Sequence, residues 1–175
     1  PQTFRSTRIQ TTEYVEAAQH LTGFMTNIQP SLLRQHPEIL PTLRMSTCPP
    51  LAVDRLVGLA GVSKTLVRAM EVDKQVPPRM AAEALETQLE KIASIVGRML
   101  DPDIFTWRDS QRSPTETETH RAATIVADRL CGAVANPIIR NAQEKRQLST
   151  IMTWLERRGY EQLSASDHVR FDVMP

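Results

Sequence analysis

DRLVGLAGVSKTLVRAME, residues 54–71, reads as two short amphipathic helices on either side of Gly61-Val62-Ser63. Leu56, Val57 and Leu59 recur at helical spacing before the glycine, and Leu66, Val67 and Met70 do so after it. A glycine between two such runs fits the turn of a helical hairpin and would allow a close backbone approach there. The spacing predicts one helix from Pro50 to Ala60 and another from Ser63 to about Val72, folded back as a tight hairpin. Helical periodicity governs the flanking sequence as well, so the expected class is all-α, with six or seven helices.

Upstream, Tyr14, Ala17, Ala18, Leu21, Met25 and Ile28 predict an amphipathic helix over residues 12–27. Prolines at 30, 37, 41, 49 and 50 then allow only short helical turns, in which Leu32, Leu33, Ile39, Leu40 and Leu43 still supply core. Downstream of Pro77-Pro78, Leu85, Leu89, Ile92, Val96 and Met99 form one apolar stripe on a long helix. Residues 101–113 read as a linker anchored by Ile104, Phe105 and Trp107. Ser113, Pro114 and Glu116 then look like an N-cap, a first-turn proline and a capping acid. The helix they introduce, to Ala135, is apolar nearly all round and is the expected central buried helix. Asn136-Pro137 should kink or restart it, and a further helix carrying Ile138, Leu148, Ile151 and Leu155 should end at Gly159.

Composition narrows the function classes. With 41% hydrophobic and 23% charged residues and a net charge of 21 − 20 = +1, the chain is neither a disordered tail nor a polybasic arm. Two cysteines, Cys48 and Cys131, make no multi-bridge framework, and no apolar run is long enough to span a membrane. The expected setting is a reducing compartment, the cytoplasm, without membrane contact. At the C-terminal end, Val169, Phe171 and Val173 alternate with His168, Arg170 and Asp172 as in a half-buried strand, or else belong to a polar tail. The expected division is a helical domain over 1–165 and, over 166–175, the start of a strand belonging to a missing C-terminal part.

The hairpin is the candidate DNA-contacting element. In a helix-turn-helix, apolar residues stand one and five positions before the turn glycine and one, six and nine after it. Ala60, Leu56, Val62, Val67 and Met70 meet all five conditions. A helix-hairpin-helix is matched by Leu59, Gly61 and Val62, with Ser63 in place of its second glycine, and a plain αα-hairpin fits the same letters. Either DNA-binding unit would present Gly61, Ser63, Lys64, Thr65 and Arg68, with backbone N–H groups at the start of the second helix facing phosphate. Residues 49–80 carry five basic and three acidic side chains, against four and eight over 81–120. That local excess suits one contact module.

No catalytic or metal-binding residue emerges. Mg²⁺-dependent nucleases commonly place a lysine two residues after an acid, but the residues two before Lys64, Lys74, Lys91 and Lys145 are Val62, Val72, Leu89 and Gln143. His120, Thr124 and Asp128 share a helical face, where two ligands fall short of a metal site and ion pairing is the expectation. The polar run Arg140 to Gln147 reads as a solvated face, or as a contact to phosphate or to a further domain.

Two blocks, LRMSTCPPLAVDRLVGLAGVSKTLVRAMEVDKQVPPRM (43–80) and PTETETHRAATIVADRLCGAVANPIIRNAQEKRQL (114–148), resemble the N-terminal part of the XamI-type restriction endonuclease family. The resemblance implies a bacterial type II restriction enzyme of a restriction-modification system, a hydrolase that cuts double-stranded DNA with Mg²⁺. It offers no catalytic residue to carry over, because the acid-x-Lys element is absent. The implied partners are DNA, the chain's own C-terminal nuclease core and, as one assembly, a second copy in a homodimer. This chain itself should bind no cofactor and should be inactive alone. The other reading from the residues is a stand-alone helix-turn-helix regulator or helical interaction module without chemistry.

Overall fold

A computed structural model describes residues 2–160, without the side chains of 2–4 and 134–145. The helices are α1 (Gln2–Leu21), α2 (Pro30–Gln35), α3 (Leu40–Met45), α4 (Val53–Ala60), α5 (Lys64–Arg68), α6 (Ala82–Met99) and α7 (Glu116–Glu156), with a 3₁₀ turn at Pro37–Ile39 and a π turn at Ala69–Asp73. Among the described residues there is no strand, and one isolated antiparallel bridge joins Thr47 to Leu100. The fold is all-α, as expected. The strand expected over 168–173 lies outside the described residues. The chain divides into two compact units, 1–133 and 134–175.

In the first unit the core centres on α3 rather than α7. Leu40, Thr42, Leu43, Arg44 and Met45 are all buried, followed by Ser46 and Thr47. Prolines fix this path, since Pro37 and Pro41 each stand in the first turn of a helical segment, where the missing N–H costs no bond. Two backbone bonds hold the exit of α3 to the end of α6, Cys48 N–H to Met99 O (2.8 Å) and Asp101 N–H to Ser46 O (2.9 Å).

Around this centre the stripes differ in part from those expected. α6 buries Leu85, Leu89, Ile92 and Val96, with half-buried Met99 beside them, as its periodicity predicts. α7 is not buried all round. Ala122, Ala123, Val126, Ala127 and Cys131 are buried on one stripe, while Ile125 is 38% exposed. α1 begins earlier than expected, ends at Leu21, and buries Thr12, Val15, Ala18 and Gln19, with Thr22 buried just past its end, while Tyr14 and Leu21 face outward. Threonine can occupy that face because its hydroxyl is satisfied within the helix, Thr12 to Arg8 O at 2.8 Å and Thr22 to Ala18 O at 2.9 Å.

Three successive left-handed residues, Gly23, Phe24 and Met25, then reverse the chain. The reversal buries Met25 and aims the Phe24 carbonyl at the indole N–H of Trp107, 2.9 Å away. Trp107 and Phe105, ring to edge at 5.6 Å, are both fully buried, so the linker is anchored as the sequence implied.

The N-cap of α7 is Thr115, not Ser113. Thr115 N–H donates to Glu118 Oε2 (2.9 Å) and Glu118 N–H donates to Thr115 Oγ1 (3.3 Å), a reciprocal capping box. Arg112 decides between the two overlapping Ser/Thr-x-x-Glu frames by gripping Glu118 with both guanidinium Nη groups. The Arg112 guanidinium, then the Thr115 amide, hold the Glu118 carboxyl far below the usual carboxylate range. α7 runs as one helix from Glu116 to Glu156, so of the kink or restart that the sequence predicted at Asn136-Pro137 the restart does not occur.

In the second unit, Leu148, Ile151 and Trp154 are more than half exposed, and the Arg158 guanidinium lies 3.6 Å over the Trp154 ring. Gly159, at φ +83°, closes this helix as expected, with Tyr160 N–H returning to Leu155 O at 3.2 Å.

Candidate nucleic-acid interface

α4 ends at Gly61, whose φ of +60° and ψ of +44° are left-handed, and its N–H returns to Val57 O at 2.9 Å. A Cβ there would meet nothing within 4 Å. The glycine therefore serves the backbone angle, not a tight approach, and any other residue would be strained by about 1–2 kcal/mol. Val62 turns inward and Ser63 starts α5.

All five positions of the helix-turn-helix spacing are buried: Leu56, Ala60, Val62, Val67 and Met70. Leu59, which the helix-hairpin-helix pattern needs, is 48% exposed. What the hairpin buries thus follows the former spacing. The second helix is shorter than expected, giving way after Arg68 to the π turn, which ends at left-handed Lys74.

The five sequence-derived contact residues fall on the outer side of this packing. Gly61, Lys64, Thr65 and Arg68 are exposed and Ser63 is half-buried. Two of them are already engaged. Ser63 N–H donates to Gln88 Oε1 on α6 at 2.7 Å, and the Ser63 hydroxyl makes no capping bond. Lys64 Nζ lies 2.7 Å from Asp54 Oδ1. One backbone donor and one ammonium of the outer side are thus already occupied within the protein. Among the described residues Arg55, Arg68, Lys74 and Arg79 form no ion pair, and each is exposed.

The inner side is fixed by Arg44, which the sequence reading missed. Its guanidinium grips both carboxylate oxygens of Glu71, the second contact at 2.8 Å, and donates to the Leu51 carbonyl. One buried side chain thus holds the segment entering α4 and the π turn leaving α5. Arg129 on α7 does likewise for the exit of α3, donating to Met45 O (3.0 Å), Thr47 O (3.2 Å) and Asp101 Oδ2 (3.0 Å). Beside the hairpin a groove of about 580 Å³ is lined by Gly61, Ser63, Ala81, Thr87, Gln88 and Lys91 among others.

The remaining candidates are not brought together into a site. His120 meets Glu16 of α1 (Nδ1 to Oε1, 2.7 Å), so its contact crosses to another helix, and Asp128 stands exposed. Among the described residues no group of three or more His, Cys, Asp or Glu side chains could hold a metal ion. The described residues thus offer no such group for the Mg²⁺ the resemblance implies. Arg140 and Lys145 lie among residues whose side chains are outside those described. No helix among the described residues is long and apolar enough to cross a membrane.

Comparison with known proteins places the chain in a family. The sequence pattern of the XamI restriction endonuclease family matches residues 23–175, and the chain belongs to that family. It is also 47% identical over 174 residues to the type II restriction enzyme SalI of Streptomyces albus G, a match covering 99% of this chain and 55% of SalI. The chain thus spans about half the length of this relative. No solved structure matches.

Proposed function

We propose that this chain is the helical N-terminal region of a type II restriction endonuclease, contributing DNA binding to site-specific double-strand cleavage in the cytoplasm. The observation that carries the reading is the 47% identity, over 99% of the chain, to a protein named as a type II restriction enzyme. The chemistry belongs to a nuclease core outside these 175 residues, which would supply the carboxylates for Mg²⁺. In support, no lysine of the sequence follows an acid at the two-residue spacing.

Within this region the Gly61 hairpin is the DNA contact. Lys64 and Arg68 neutralise phosphates from its outer side, Thr65 adds a hydroxyl donor, and Gly61 and Ser63 set the turn that presents them. The buried Arg44–Glu71 pair and the Gln88 bond fix the hairpin's orientation beforehand, so that little ordering is needed on binding. A regulator without chemistry could use the same hairpin, but the relatedness to a restriction enzyme favours the nuclease.

Incubation of the purified 175-residue chain with supercoiled plasmid and Mg²⁺ tests the division of labour. The expected result is intact plasmid. Site-specific nicking or linearisation would overturn it.

A further inference from the structure

Lys64 and Arg68 stand one helical turn apart on the outer side of the hairpin, yet their electrostatic situations differ. Arg68 has no acidic partner among the described residues, whereas the Lys64 ammonium lies 2.7 Å from the Asp54 carboxylate. Asp54 sits in the first turn of α4, where the helix dipole favours an anion, and Lys64 opens α5 on the far side of the turn. The Lys64 and Asp54 side chains are 67% and 77% exposed. An ion pair so exposed has little net stability, so it contributes little to the fold and can be exchanged for another anion. Of the other hairpin acids, Glu71 is consumed by Arg44 in the interior and Asp73 lies in the π turn beyond Arg68.

We infer that Asp54 restrains the DNA affinity of the hairpin by occupying Lys64, and that a DNA phosphate must take Lys64 from it on binding. The inference rests on the reading of the hairpin as a DNA contact. Two anions compete for one ammonium. In the free protein Asp54 holds it, and in the complex the phosphate oxygen replaces the carboxylate, which stays nearby as a repulsive charge. Arg68 therefore carries more of the hairpin's affinity than Lys64, and the penalty at Lys64 falls on every DNA sequence alike. Neutralising Asp54 frees one more cation for phosphate, which both tightens binding and steepens its salt dependence.

A double-mutant cycle on the intact protein tests this, with a short fluorescent DNA duplex titrated across a salt series in the absence of divalent metal. Asp54→Asn is expected to tighten binding about two- to fivefold at low salt and to steepen the salt slope. In a Lys64→Ala background the same change should have a clearly smaller effect, since only the residual repulsion between carboxylate and phosphate is then relieved. An unchanged or weaker affinity for Asp54→Asn, with Lys64→Ala and Arg68→Ala each weakening binding, would overturn the inference and leave the hairpin contact standing. An equal gain in both backgrounds would overturn it too, since Asp54 would then act as a general surface charge. If Lys64→Ala and Arg68→Ala both leave affinity unchanged, the hairpin reading itself fails and the inference with it.

Discussion

The Gly61 hairpin carries an ion pair on each of its two faces, and they differ in nearly every respect that decides what an ion pair does. Arg44 and Glu71, 10% and 12% exposed, meet in bidentate geometry with a further bond to a backbone carbonyl. Lys64 and Asp54 meet through one contact in open solvent. Burial makes each partner of the inner pair indispensable to the other, since removing one strands a charge in a poorly solvated place. Exposure makes the outer pair exchangeable. One short element is thereby anchored on the inside and left chemically available on the outside.

Breaking the inner pair should have the largest effect. Arg44→Ala is expected to cost about 3–5 kcal/mol in denaturant unfolding, because Glu71 and the Leu51 carbonyl both lose their partner. The paired replacement Arg44→Met with Glu71→Met should recover most of that loss. A loss below about 1 kcal/mol for Arg44→Ala would show that the inner face does not anchor the hairpin.

The second prediction sets the core around α3 against α7. Leu43→Ala should destabilise by about 2–5 kcal/mol, as for a large side chain removed from a closed core. Ile125→Ala, at a partly exposed site, should cost about 1 kcal/mol or less. Equal losses would restore α7 as the centre of the fold.

These contrasts also mark what could be read from the sequence. The five buried hairpin positions were legible because their spacing is local and a turn glycine sets the register. Gln88 with Ser63, 25 residues apart, and Arg44 with Glu71, 27 apart, follow no spacing rule, and tertiary packing alone brings them together. On α7 the alanines Ala122, Ala123 and Ala127 are core, but Ile125 shares the exposed side with Arg121 and Asp128, so an apolar residue counted toward burial marks a face turned to water. On α1 the error ran the other way. Thr12, Gln19 and Thr22 looked like solvent residues and are buried, because local hydroxyl bonding removes the cost for the threonines. The exposure of Gly61, Lys64, Thr65 and Arg68 followed from the same spacing, but the engagement of Ser63 and Lys64 did not.

A smaller effect is expected at the start of α7, away from both hairpin faces. The Glu118 carboxyl is lowered in the folded chain, so its stabilising contribution is complete above its ordinary value of 4.5 and is lost as pH falls below it. Glu118→Gln should therefore lower Tm at neutral pH, with the gap to the parent protein closing as the solution is acidified below that value. A gap that is constant with pH would mean that the capping box acts through shape, without its charge.

The central claim is that the outer face of the hairpin meets DNA phosphates, and the salt dependence of binding measures it most directly. With the intact protein and duplex DNA, Lys64→Ala and Arg68→Ala should each weaken binding on all sequences alike and each lower the slope of log K against log salt by about one, or somewhat less for Lys64. An unchanged affinity and slope in the double variant would contradict the account and leave the hairpin a purely structural element.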